Sequence, residues 1–183
     1  MGSEMCIRDS SEAAAIKAIK GQGSKSVEAG NVLVLAGCGP SGTGMEETYQ
    51  LTAALKHLPW GKEVALLTDA RFSGVSTGAC IGHIGPEAQA GGPIGKVVDG
   101  DWIEIRIDRT AITGHVNLIG HRETVADAAW GARELQSRAA GSFESHPELP
   151  DDTRLWAALQ NAGGGTWGGC VYDVKEILKK LEQ

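Results

Sequence analysis

Residues 65–76 read Ala-Leu-Leu-Thr-Asp-Ala-Arg-Phe-Ser-Gly-Val-Ser, an apolar run that empties into hydroxyl, carboxylate and guanidinium groups. Val64, Ala65, Leu66 and Leu67 have the composition of a buried strand, and polar residues directly after such a strand are delivered to one end of a sheet. Ser73 follows with Gly74 beside it, so its hydroxyl can be presented with little crowding. Such a serine serves as a turn residue, a nucleophile or a base. The last two roles need an activator, and no Ser-His-Asp order accompanies it. Asp69 and Arg71 fit either a mutual ion pair or caps on the turn.

A second cluster lies upstream. Gly37-Cys38-Gly39-Pro40-Ser41-Gly42-Thr43-Gly44 follows the apolar stretch 32–36 and precedes a helical pattern. A glycine-rich strand-to-helix loop can cradle an anion on its N–H groups, or can be purely structural. It is not a Walker loop, because no Gly-Lys-Ser/Thr follows. Thr43 and Glu46 have capping-box spacing, which gives Glu46 a structural duty. Glu47 has no such duty and could hold a hard cation such as Mg²⁺, or simply complement a helix dipole. Cys38 borders the loop. His83 is as readily a structural histidine as a ligand, and His57, His115, His121 and His146 show no ligand spacing.

Patterning assigns the elements that must position these groups. Helices are expected over 11–20, over 46–58 with Leu51, Leu55 and Leu58 on one stripe, and over 124–139, 151–161 and 173–181. Strands are expected over 32–36, 63–68 and 115–119, and over 102–107, where isoleucine alternates with polar or aromatic residues. Val98-Asp99-Gly100-Asp101 carries a hairpin-turn signal. Strands interleaved with helices, plus antiparallel pairing, give an α/β domain with a mixed sheet that could close like a barrel. Residues 1–10 show no periodicity and are set apart as a non-native-looking leader, Cys6 with them. The domain proper is placed at 11–183, with a core over 11–119 and a helical tail over 120–183.

Composition narrows the function. With 183 residues, 42% hydrophobic and 22% charged, the chain can bury one real core. A net charge of −6 without a basic cluster argues against nucleic acid, and no apolar run is long enough for a membrane span. Four dispersed cysteines without a C-x-x-C pair suit free thiols in a reducing cytoplasm. The 26 glycines are clustered, which points to tight turns and close backbone approach.

Three segments in order resemble the dihydroxy-acid and phosphogluconate dehydratase family. Residues 65–76 resemble the family's signature around its catalytic serine. Gly39-Pro40-Ser41-Gly42-Thr43-Gly44-Met45-Glu46-Glu47 resembles its Gly-Pro-x-Gly-Gly-Pro-Gly-Met-Pro-Glu loop, one residue shorter. Gly82-His83-Ile84-Gly85-Pro86-Glu87-Ala88, with Gly91-Gly92-Pro93-Ile94 and Asp99-Gly100-Asp101, resembles the segment that follows. The tail, with Arg154-Leu155-Trp156 and Gly165-Thr166-Trp167-Gly168-Gly169-Cys170, looks most like the xylonate (sugar-acid) branch.

The resemblance implies the family's C-terminal domain, a mixed-sheet, barrel-like swivelling domain flanked by helices. It implies a hydro-lyase that removes water from a 2,3-dihydroxy acid, with Ser73 as base and Glu47 as Mg²⁺ ligand. Glu46 remains an alternative ligand because the loop is one residue short. Val75 stands where some sugar-acid members carry a hydroxyl, so Ser76 or Thr77 is expected to bind substrate instead. The iron–sulfur cluster would be bound by an N-terminal domain that this chain lacks, leaving the chain inert alone. Expected partners are a small sugar acid, that N-terminal domain and, in the full-length protein, a further copy. The alternatives are a dihydroxy-acid dehydratase of branched-chain amino-acid biosynthesis, a non-catalytic small-acid or metal-binding module, and a fragment that self-associates through surfaces meant for the N-terminal domain.

Overall fold

Residues 32–35 and 65–67 are apolar on both sides because both faces of their sheet are covered. A computed structural model describes residues 3–9, 11–22, 24–44, 46–143 and 149–182. Its strands are β1 (Ser3–Asp9), β2 (Val32–Leu35), β3 (Glu47–Thr48), β4 (Ala65–Thr68), β5 (Arg71–Phe72), β6 (Ala79–Ile81), β7 (Asp101–Asp108), β8 (Thr113–His121) and β9 (Thr124–Val125). Its helices are α1 (Glu12–Ile19), α2 (Pro40–Thr43), α3 (Gln50–Lys56), α4 (Ala128–Ser137), α5 (Asp151–Gly163) and α6 (Val174–Leu181). Seven strands lie in the order β6-β4-β2-β1-β7-β8-β9, and β3 pairs with β5 in a second, two-stranded sheet. The β6-β4-β2-β1 half is parallel, while β7, β8 and β9 join antiparallel.

Strand alternation divides the apolar residues between two cores. Leu33, Leu35 and Leu66 face one side with Ala15, Ala18 and Ile19 of α1 and Leu51 and Leu55 of α3. Val32, Val34, Ala65 and Leu67 face the other, with Ile94, Val97, Ile103 and Ile105 and, at its margin, Leu135 of α4 and Phe143. The mixed α/β sheet flanked by helices is as the patterning indicated. No ladder joins β6 to β9 among the described residues, so the sheet runs from one edge to the other without barrel closure.

Four expectations change. Residues 3–9, set apart as part of a leader, form β1 in the middle of the sheet, parallel to β2 in register Cys6–Val32 and antiparallel to β7 in register Met5–Trp102. Main-chain pairing on both edges needs no side-chain periodicity, and burial of Cys6 pushes its thiol up. The helix expected over 46–58 starts only at Gln50, because Glu47 and Thr48 pair with β5. The helix expected over 124–139 starts at Ala128, where the Asp127 carboxylate accepts the Trp130 N–H at 2.7 Å, and Thr124–Val125 pairs with β8 instead. The turn at 98–101 forms, with the Asp101 N–H donating to the Val98 carbonyl, but the segment before it is a 3-10 turn. The hairpin proper joins β7 to β8 through residues 109–112.

One buried charge cluster ties β7, β8 and α4 together. Asp101 is fully buried and accepts from Arg138 Nη1 at 2.6 Å and Nη2 at 2.9 Å, from the Val98 N–H at 2.9 Å, and lies 2.9 Å from His121 Nδ1. Removing the guanidinium would leave a buried carboxylate without its main counter-charge. Arg138→Ala should therefore lose about 3–5 kcal/mol in urea denaturation, far more than an exposed pair would cost. A loss below about 1 kcal/mol would show that this cluster does not hold α4 to the sheet.

Candidate functional site

The glycine-rich loop does bind anions, but they are the chain's own. Asp69, fully buried at the end of β4, accepts the Gly37 N–H at 3.0 Å, the Cys38 N–H at 3.0 Å and the Ala88 N–H at 2.9 Å. Glu87, also buried, accepts the Ser41 N–H at 2.9 Å and the Ser41 hydroxyl at 3.1 Å. A free anion cradle on this loop is thus corrected to two internal carboxylates. Asp69 takes its three N–H groups, while Arg71 lies 3.8 Å from Glu47. The capping box is corrected too: Thr43 Oγ1 accepts the Glu46 N–H at 3.3 Å, but no helix starts there. Thr43 ends α2 and donates back to the Cys38 carbonyl at 2.9 Å, and Gly44 closes the helix at φ 71°.

That arrangement carries the chain from α2 into β3, which lies beside β5. Glu47 and Arg71 are register partners, as are Thr48 and Phe72, and the Ser73 N–H continues the ladder by donating to the Thr48 carbonyl at 3.4 Å. Strand pairing ends at Phe72, and Ser73 opens the turn that follows, its carbonyl accepting the Ser76 N–H at 3.0 Å. Glu47 Oε1 lies 3.8 Å from Arg71 Nη2, with both side chains 46% exposed. The ladder therefore brings the Glu47 segment beside the strand that leads into Ser73, with Glu47 exposed and Ser73 half-buried. Glu46 is exposed beside them. Ser76 turns toward α3, its hydroxyl hydrogen-bonded to that of Thr52 at 3.3 Å, and Thr77 is exposed, its carbonyl accepting from Cys80 Sγ at 3.5 Å.

The remaining candidates stand apart from this face. Cys38 belongs to the core margin, and burial pushes its thiol up to about 12. His83 is exposed at φ 54°, its N–H donating to the Ala70 carbonyl at 2.9 Å. Met45 and His146 lie outside the described residues. Among the described residues no group of three or more His, Cys, Asp or Glu side chains is arranged to hold a metal ion. No described helix is long and apolar enough to cross a membrane. Asp69 and Glu87, which set the geometry, were assigned no such part from sequence. The signal for Asp69 is a carboxylate close behind the apolar run 64–67; that it meets the glycine-rich loop is supplied by the fold.

Residues 5–153 match the family model described as dihydroxy-acid/6-phosphogluconate dehydratase C-terminal. The chain belongs to this family. It is 59% identical over 172 residues to the D-xylonate dehydratase YagF of Escherichia coli K12, covering 93% of this chain and 26% of that protein. To the D-xylonate dehydratase YjhG of the same organism it is 59% identical over 157 residues, covering 82% and 24%. Dihydroxy-acid dehydratase 2 of Bradyrhizobium diazoefficiens is 44% identical over 146 residues, covering 79% and 25%. The chain thus spans about a quarter of the length of these curated relatives. The family match takes in most of β1 and stops just inside α5. The part of the chain left unmatched by YagF is shorter than the 154–183 tail, so that similarity extends into the tail.

An asparagine at 69 would turn an N–H donor toward at least one of the backbone N–H groups that the carboxylate accepts. Asp69→Asn should cost about 1–3 kcal/mol of stability. Burial raises the Asp69 carboxyl above its ordinary 3.8 despite the hydrogen bonds that lower it. A raised carboxyl contributes stability that is fully present below 3.8 and lost as pH rises through the folded value. The gap between wild type and Asp69→Asn in urea denaturation should therefore widen on acidification from pH 7 towards 4. A gap that narrows would mean that the three hydrogen bonds outweigh burial.

Proposed function

We propose that this chain is the base-carrying C-terminal domain of a sugar-acid dehydratase acting on a 2,3-dihydroxy aldonic acid such as xylonate. The observation that supports the reading is the β3–β5 ladder, which pairs the Glu47 segment with the strand that leads into Ser73. The YagF and YjhG similarities favour sugar acids over branched dihydroxy acids. The net change is loss of a proton from C2 and hydroxide from C3, giving water and an enol that becomes the 2-keto acid. Ser73 Oγ takes the C2 proton. Its position beyond β5 lets it approach substrate without crossing the core, and Gly74 leaves that approach open.

The family implies Mg²⁺ and an iron–sulfur cluster, and the residues fit them unequally. A Mg²⁺ ion keeps several waters and takes one or two carboxylates, so exposed Glu47 suits a single ligand, with others supplied from outside these residues. The cysteines do not suit a cluster: they are dispersed, and Cys6, Cys38 and Cys80 all have thiols raised by burial. Cluster ligands are therefore assigned to the part of the longer relatives outside the matched quarter. When bound, these groups would supply the positive charge that acidifies C2 and the Ser73 hydroxyl.

The chain alone should form no 2-keto acid from D-xylonate. Joined to the preceding three quarters of the YagF chain, it should do so, and Ser73→Ala in that hybrid should lower kcat by roughly 10²–10⁴-fold. Turnover by the 183-residue chain alone, or an unaffected Ser73→Ala hybrid, would sink the assignment. A cluster-loaded hybrid that dehydrates only dihydroxy-isovalerate would move it to the branched-chain substrate, and one inert on every acid to a binding module.

A further inference from the structure

A groove runs between the glycine-rich segment and the tail, on the side of α2 that packs on α5. It has two neighbouring lobes that share Ser41 and Asn161. The larger, about 540 Å³, is lined also by Gln89 and Arg154, and the smaller, about 290 Å³, by Glu87 and Trp167. Neither lobe uses a residue of β3, β5 or 73–77. The groove is built in: Gly44 lies so close to α5 that a Cβ there would meet Trp156 Cβ at 2.9 Å and the Ala157 nitrogen at 3.1 Å. Its volume is in the range of small-ligand sites.

The lining specifies a chemistry. Gln89 Oε1 is a buried acceptor with no hydrogen-bond partner among the described residues, and it calls for a hydroxyl or N–H donor. Asn161 adds an exposed amide, and Ser41, whose proton goes to Glu87, adds acceptor capacity. Arg154 is the cation of the groove, paired only loosely with Asp151 at 3.6 Å. Trp167, 78% exposed, offers a flat ring to a C–H face. A phosphate dianion is disfavoured, because a single guanidinium would face two nearby carboxylates, Glu87 and Asp151. A fully apolar ligand would strand the amides.

We propose that this groove binds a small polyhydroxylated monocarboxylic acid at a site separate from Ser73. The carboxylate meets Arg154, hydroxyls meet Gln89 and Asn161, and the carbon chain lies against Trp167. The tail side of the groove lies beyond the segment shared across the family, so the site belongs to chains that carry this tail. The inference does not depend on the hydro-lyase reading, which is tested by turnover.

Calorimetric titration of the 183-residue chain with D-xylonate, xylitol, acetate and inorganic phosphate tests it. Xylonate should bind, with xylitol and acetate each weaker by roughly tenfold or more, since each lacks one half of the recognition. Arg154→Ala and Trp167→Ala, at exposed positions whose folding circular dichroism verifies, should each weaken xylonate by a similar factor, and Ser73→Ala should leave it unchanged. Absent xylonate binding, phosphate binding tighter than xylonate, or affinity lost in Ser73→Ala but kept in the two tail variants would overturn the proposal.

Discussion

Two buried carboxylates, Asp69 just past β4 and Glu87 in the turn before residues 88–90, are what the rest of this domain depends on. A glycine-rich loop leaves several N–H groups without secondary-structure partners, and burying them unpaired is costly. Asp69 and Glu87 take those donors, one from the loop's start and one from the turn of α2, and Asp69 also takes the Ala88 N–H. Three separate pieces of chain are thereby fixed to one end of the sheet. β3 leaves that knot from one side and β5 from the other, and the ladder between them, which the Ser73 N–H extends, brings the Glu47 and Ser73 segments together. Burial raises both carboxyls while the hydrogen bonds lower them, which leaves each held by close geometry rather than by a counter-ion.

The two halves of the sheet solve different problems. β2 and β4 are sandwiched between α1 and α3 on one side and the 94–105 region on the other, so they are apolar but for Thr68 at the end of β4. β7 and β8 have one half-covered face. They are held to α4 by the Asp101–Arg138 pair, and their distal ends stand exposed.

Much of this was legible in the residues. The strands over 32–35, 65–68, 101–108 and 113–121 follow from apolar runs and from alternation, and α1, α5 and α6 from their periodicity. What could not be read is what the pattern does not encode. β1 is specified by main-chain pairing on both of its edges. β3 is two residues long and exists only because β5 lies beside it, which overrode helix propensity and a capping-box spacing at 43–46. Glu87 stands in a turn with no local pattern; its partner Ser41 is distant in sequence and is supplied by the fold. Ser73 and Glu47 could be named from motifs, but the pairing that brings their segments together is a property of the ladder.

The pair between Glu47 and Arg71 decides how that face can work. At 3.8 Å, with both groups 46% exposed, such a contact is worth less than about 1 kcal/mol and is screened by salt. It holds the carboxylate in place without committing it. A divalent cation interacts with a carboxylate far more strongly than an exposed guanidinium does, so Arg71 can be displaced from Glu47 without disturbing the β3–β5 ladder, whose bonds are main-chain. A face built this way keeps its geometry in the backbone and leaves its charges exchangeable, which is what the proposed role of Glu47 toward Mg²⁺ requires.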